Sequence, residues 1–183
     1  GTATDFSATP DGLSIAFVYE SARMASEVAY LSARIMVPIF LTEHNPQVES
    51  FALGQVETVK WKSNDGSAIE GLLIYPVGYQ TGRRYPLLTY LHGGPEGAYT
   101  QSFMASYSEF PHLYAARGYA SFFPNFRGSS NYGAEFAAAN VGDLAFDQLI
   151  DSAHDILVID FAGEFGVGLG ELWSVIGGAQ KIR

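Results

Sequence analysis

"YPLLTYLHGGPEG", residues 85–97, is the stretch on which the fold turns. The apolar run 87–91 has the composition of a buried strand and leads straight into His92, Gly93, Gly94 and Pro95. Paired glycines at the end of a strand let backbone N–H groups approach a reacting group, because no Cβ stands in the way. Donors so placed stabilise a developing oxyanion. The same residues also make an ordinary Gly-Gly-Pro turn, and taken alone they do not separate the two.

The flanking sequence supplies the context. Upstream, "VETVKWKS" (56–63) alternates, "NDG" turns, and "SAIEGLLIYP" (67–76) forms a second strand ended by Pro76, together a hairpin. Downstream, "SFMASYSEFPHLYAARG" (102–118) carries apolar residues at helical spacing, with Pro111 as start or kink and Gly118 as stop. "YASFFP" (119–124) is another buried strand, followed by the loop "NFRGSSNYG" (125–133). "DLAFDQLIDSAHDILVI" (143–159) puts Phe146, Leu149, Ile150, Ala153, Ile156 and Leu157 on one helical face, with Asp143 as N-cap. Hairpin, strand, helix, strand, helix is the rhythm of an α/β layer fold. A helical crossover between 87–91 and 120–123 predicts neighbouring parallel strands.

Before Leu53 the style differs. "TPDGLSIAFVY" (9–19) is a turn leading into a strand, and "EVAYLS" (27–32) is a second short strand. These short β segments place a domain boundary between Leu53 and Glu57. Hydrophobic residues make up 48% of the 183, enough for a sizeable core. The net charge of −9, from 10 basic and 19 acidic residues, argues against nucleic-acid binding, which depends on neutralising phosphates. Zero cysteines exclude disulfides, thiol chemistry and cysteine-held metals. The compartment stays unidentified, with a soluble cytoplasmic setting favoured. The start Gly-Thr-Ala-Thr-Asp is expected of a fragment or processed product. The most membrane-like stretch, 156–179, contains Asp160, Glu164 and Glu171. At about 2.5–3.5 kcal/mol per central acidic residue, a membrane span is not expected.

"VKWKSNDGSAIEGLLIYPVGY" (59–79), "YPLLTYLHGGP" (85–95) and "AARGYASFFPNFRGSSNYG" (115–133) stand in the order and spacing of one family. They resemble the prolyl oligopeptidase family of serine peptidases, particularly its acylaminoacyl-peptidase-like and dipeptidyl-peptidase-like members. The likeness covers roughly residues 9–155. It implies that residues 1–53 are the tail of a β-propeller-like domain. Residues 57–183 would then be the first part of an α/β-hydrolase catalytic domain. His92, Gly93 and Gly94 match the family's oxyanion loop. Asn125, Arg127, Gly128 and Ser129 match a loop on the active-site side of the sheet, although Arg127 equally suits a structural pairing with a carboxylate such as Asp143. The chain order of such enzymes is Ser, then Asp or Glu, then His, so His92 is not the expected base.

The resemblance implies Ser174, in "GELWSVIGG" (170–178), as the nucleophile's counterpart, the alternative being a coincidental Trp-Ser pair in an apolar, Gly-rich tail. It lies 47 residues after Arg127, close to the family's spacing. "WSVIGG" looks like the family's "WS-x-GG" with one extra residue, and Leu172 and Ile176 replace the glycines of G-x-S-x-G. Only "VIGGAQKIR" follows, without Asp, Glu or His. A serine without a base stays a weak alcohol, so the chain by itself is expected to be inactive.

No cofactor is expected. "GVGLGE" (166–171) puts Glu171 where a dinucleotide loop needs its third glycine, and His44, His92, His112 and His154 lack metal-ligand spacing. The resemblance implies hydrolysis of peptide bonds in short peptides, with no nucleic-acid or membrane partner. The alternatives are a carboxylesterase of the same fold, since loops of this kind also serve esters, and a non-catalytic remnant or pseudoenzyme.

Overall fold

The structure, a computed structural model, describes residues 1–63, 66–94, 96–106 and 109–141. The helix expected from Asp143 and the Ser174 turn lie outside the described residues.

The first sheet is an antiparallel meander, β1 (Thr2–Ala8), β2 (Ser14–Ser21), β3 (Met24–Ser32) and β4 (Ile39–Phe40), in that order. The expected Pro-Asp-Gly turn joins β1 to β2. Asp11 fixes it by accepting from the Thr9 hydroxyl at 2.6 Å and the Leu13 N–H at 3.0 Å. The predicted strand 27–32 falls inside β3. β1 escapes sequence reading because "TATDFSA" has one large apolar residue and no alternating apolar face. Its partner β2 makes it a strand. A short 3₁₀ turn, Pro46–Ser50, follows, with proline in its first positions.

The second sheet contains β5 (Val56–Lys62), β6 (Ala68–Ile74), β7 (Leu87–Thr89) and β8 (Ala120–Asn125), in the order β5-β6-β8-β7. β5 and β6 form the predicted antiparallel hairpin, with Val59 opposite Gly71. β7 and β8 are parallel neighbours, as the crossover requires, with Leu88 opposite Ser121. β7 ends at Thr89 rather than at Leu91, although the Tyr90 N–H still donates to Phe122 O at 2.8 Å. Pro124 is tolerated in β8 because β7 has ended by that point, so no ladder bond from that side is lost.

The crossover helix is shorter than its apolar periodicity suggests. Among the described residues of 102–118 only Pro111–Ala115 is helical (α1), and Met104 sits at φ 48° in the preceding segment. Proline disfavours helical geometry in the residue before it, so Pro111 starts the helix, and the chain leaves it at Gly118. A second short helix, Ala134–Ala138 (α2), follows the 125–133 loop.

All six residues of β8 are buried, and consecutive phenylalanines serve opposite faces of the sheet. Phe123 packs with Leu72, Ile74, Met104 and Ala115, and its ring lies parallel to that of Tyr90 at 4.6 Å. Phe122 packs with Leu73 and Ala120, and meets Trp61 at 5.6 Å. Burial on both faces suits a strand in the middle of an α/β sheet. Hydrogen bonds link the first sheet's segment to the segments around the second: Thr2 to Thr100 between hydroxyls at 3.0 Å, and His112 Nε2 to Ala22 O at 2.9 Å.

Candidate active site

β7 and β8 run parallel, so their carboxyl ends lie at one edge of the sheet. The 92–97 loop leaves β7 there, and the 125–133 loop leaves β8. In open α/β sheets this is where ligands bind. β6 runs the other way, which brings Glu70 to the same end, opposite Asn125.

The two loops are joined by three rungs. His92 Nε2 lies 2.9 Å from Ser129 Oγ, the Ser130 N–H donates to Gly97 O at 3.1 Å, and the Tyr99 N–H donates to Asn125 Oδ1 at 2.7 Å. His92 Nδ1 faces Gly93 O at 3.1 Å, and a carbonyl only accepts, so Nδ1 carries the proton. Nε2 therefore accepts from the Ser129 hydroxyl, which is fully buried. The imidazole stacks on Phe126 at 4.4 Å and meets Tyr99 edge-on at 5.3 Å. It is a packed anchor for the loop.

Gly93 and Gly94 are exposed, and among the described residues no hydrogen bond takes up either N–H. Glycine is needed at 94. Its φ is 142°, and an added Cβ would stand 2.6 Å from the Glu96 nitrogen. The arrangement offers backbone donors at the mouth of the sheet, held from below by the 125–130 loop.

Asn125 is buried, and its amide is wholly engaged. Beyond accepting from Tyr99, it donates to Tyr99 O at 2.9 Å and to the Tyr132 hydroxyl at 2.8 Å. Tyr132 donates in turn to Glu70 Oε1 at 2.8 Å, and Glu70 Oε2 pairs with Lys60 at 3.1 Å. The Tyr132 hydroxyl, with Lys60 beside it, holds the Glu70 carboxyl below its usual range, against the opposing effect of burial. Burial and the Glu70 charge push Tyr132 up to about 12. A polar cavity of about 320 Å³ adjoins this chain of bonds, lined in part by Thr58, Glu70, Tyr99, Gln101, Asn125 and Tyr132.

Arg127 is half-buried and engaged. Gly128 passes so close to Asn140 that a Cβ would stand 2.2 Å from its amide nitrogen. Ser174 lies outside the described residues. Sequence reasoning missed Glu70, Tyr99 and Tyr132. Glu70 had a legible signal, a carboxylate inside the apolar strand "AIEGLLI", whereas the two tyrosines had none. No group of three or more His, Cys, Asp or Glu is placed to hold a metal among the described residues, and no described helix is long and apolar enough to cross a membrane.

A mixed sheet with two loops converging at the carboxyl ends of parallel strands is the architecture of an α/β layer fold. Comparison with known proteins narrows this. No protein-family model matches the chain. It is 38% identical over 107 residues to the uncharacterized peptidase YuxL of Bacillus subtilis, covering 57% of this chain and 16% of that protein. It is 30% identical over 111 residues to the probable dipeptidyl-peptidase 5 of Emericella nidulans, covering 59% and 15%. The Pyrococcus horikoshii acylaminoacyl peptidase shares its fold, with a TM-score of 0.71 at 22% identity over 90% of this chain and 26% of that one. The chain thus spans about 15% of the length of the curated relatives it matches. These relatives bear out the likeness read from the motifs: the chain corresponds to a segment of a prolyl oligopeptidase-family peptidase.

Proposed function

We propose that these residues belong to a serine-type peptidase that hydrolyses peptide bonds in short peptides. The observation that carries the reading is the junction, at the carboxyl ends of β7 and β8, in which three hydrogen bonds tie His92, Gly97 and Tyr99 to the 125–130 loop. Gly93 and Gly94, exposed in that loop after β7, serve in this reading as the donors to an oxyanion. Ser174 is the nucleophile's counterpart, and Arg127 with Asn125 belongs to the loop on the substrate side. The names of the relatives, a dipeptidyl-peptidase and an acylaminoacyl peptidase, support short peptides as substrates and favour a peptidase over a carboxylesterase. Residues 1–53 are the tail of a β-propeller-like domain, a reading supported by the four-stranded antiparallel meander, which has the form of one propeller blade. Residues 57–183 are the first part of the α/β-hydrolase domain, supported by the order β5-β6-β8-β7.

A second reading has its own support: the 183-residue chain by itself is a non-catalytic piece. The nine residues after Ser174 contain no Asp, Glu or His to complete a triad in the family's order. A fluorophosphonate probe tests both readings. On the 183-residue chain, labelling at Ser174 no higher than in Ser174→Ala is expected, and stoichiometric labelling overturns the inactivity. On the chain extended through its downstream reading frame, cleavage of short peptide anilides is expected. Ester cleavage alone selects the carboxylesterase, and neither activity selects the remnant.

A further inference from the structure

We infer that Tyr132 and Glu70 are positioning residues that fix the outgoing end of the 92–97 loop through the side-chain amide of Asn125. The inference rests on reading that loop as the oxyanion loop.

The polarity of the chain of bonds is fixed at each step. The Tyr99 N–H can only donate, so Asn125 must present its oxygen there. That leaves both amide hydrogens pointing the other way, one to Tyr99 O and one to the Tyr132 oxygen. A tyrosine hydroxyl that accepts from Asn125 has its own hydrogen left to give, and Glu70 Oε1 takes it at 2.8 Å. Reversing the amide would set N–H against N–H and oxygen against oxygen at Tyr99. The amide therefore grips both backbone groups of Tyr99 in one orientation, much as a neighbouring strand would. Asn125 is only 2% exposed, so its amide depends on these protein partners.

What is gripped matters for the loop. Tyr99 lies two residues beyond Gly97, and its ring is the edge-on wall against His92 at 5.3 Å while also meeting Phe123 at 4.8 Å. His92 and Ser129 hold the incoming end, and Asn125 holds the outgoing one. A loop held at both ends keeps its donors aimed without reorganisation when charge develops. Lys60 is the outermost member and the most exposed, so it acts on Glu70 rather than on the loop.

Amide hydrogen exchange and NMR on the 183-residue chain test this without requiring catalysis. Tyr132→Phe is expected to speed exchange of the Tyr99 N–H about fivefold or more and to shift the Asn125 side-chain amide resonances, with the β5–β6 ladder amides unchanged. Glu70→Gln keeps an oxygen for the Tyr132 hydroxyl and is expected to preserve Tyr99 protection, whereas Glu70→Ala loses it. Unchanged Tyr99 exchange in Tyr132→Phe overturns the inference. So does equal acceleration across the β5–β6 ladder, or equal loss in Glu70→Gln and Glu70→Ala, which assigns the effect to the Lys60 ion pair. An inactive extended chain with the Tyr99 effects intact refutes the peptidase reading and leaves the clamp standing.

Discussion

His92 Nε2 and Ser129 Oγ are 2.9 Å apart across 37 residues of sequence, joining the loop after β7 to the loop after β8. The serine is the donor and is completely enclosed, so its hydroxyl has no water as a substitute partner. Removing the hydroxyl in Ser129→Ala is expected to cost about 1–2 kcal/mol, because a partly buried imidazole nitrogen is left unsatisfied. Ser130→Ala keeps the backbone bond to Gly97 and is expected to fall within about 0.5 kcal/mol of the parent. Urea midpoints of the two variants make the comparison, and equal midpoints would remove the rung from any stabilising role.

The adjacent glycines of the loop are predicted to differ. Gly94 has φ 142° and no room for a Cβ beside Glu96, whereas a Cβ at Gly93 meets nothing within 4 Å. Gly94→Ala is expected to destabilise by about 1–3 kcal/mol. Gly93→Ala is expected to be close to neutral in stability, whatever it does to activity. Thermal melts of the two variants give the answer, and a neutral Gly94→Ala would show that the loop can relax.

The contact between the sheets is predicted to be sensitive to acid. His112 Nε2 bonds to Ala22 O, so the proton sits on Nε2, and buried Nδ1 has no partner among the described residues. Burial lowers the His112 pKa below the usual histidine value of 6.5 against the opposing effect of the Ala22 carbonyl, and nearby Arg23 adds to the lowering. The unfolded chain therefore takes up a proton at a higher pH than the folded one does. Stability contributed by neutral His112 is present above pH 6.5 and is lost as pH falls from there toward the folded pKa. His112→Gln retains a donor for Ala22 and cannot titrate. Between pH 7.5 and 5.5 the parent should lose more stability than this variant. Parallel pH profiles would assign the slope to other groups.

The segment around β4 is a candidate for adhesion. Ile35, Met36, Val37, Ile39, Phe40 and Leu41 are all exposed, and β4 pairs at only two positions. Contiguous apolar surface of this kind binds hydrophobic dyes and promotes association. Strong dye fluorescence is expected from the 183-residue chain, falling by about half or more in Val37→Lys/Leu41→Lys. Unchanged fluorescence in the double variant would place the sticky surface elsewhere.

The sequence by itself determined the pieces whose signals are local. The 56–74 hairpin followed from alternation around an Asn-Asp-Gly turn. The parallel pairing of β7 with β8 followed from two apolar runs joined by a crossover, and the Gly93–Gly94 loop from its place at the end of the first run. The relation to prolyl oligopeptidase-family peptidases was legible because several motifs kept their order. The length of α1 was not, since apolar spacing over 102–110 reads the same whether a face packs as a helix or as an irregular segment. Nor was β1, which has almost no apolar face and exists because β2 offers it backbone partners. Asn125 was legible as a loop residue, but its two-sided grip on Tyr99 was not. That grip joins positions 26 residues apart, and its support comes from Tyr132 and Glu70, which are 62 residues apart. Hydrogen bonds of this kind leave no periodicity behind, because their partners meet only after the sheet has set the register of Glu70 against Asn125.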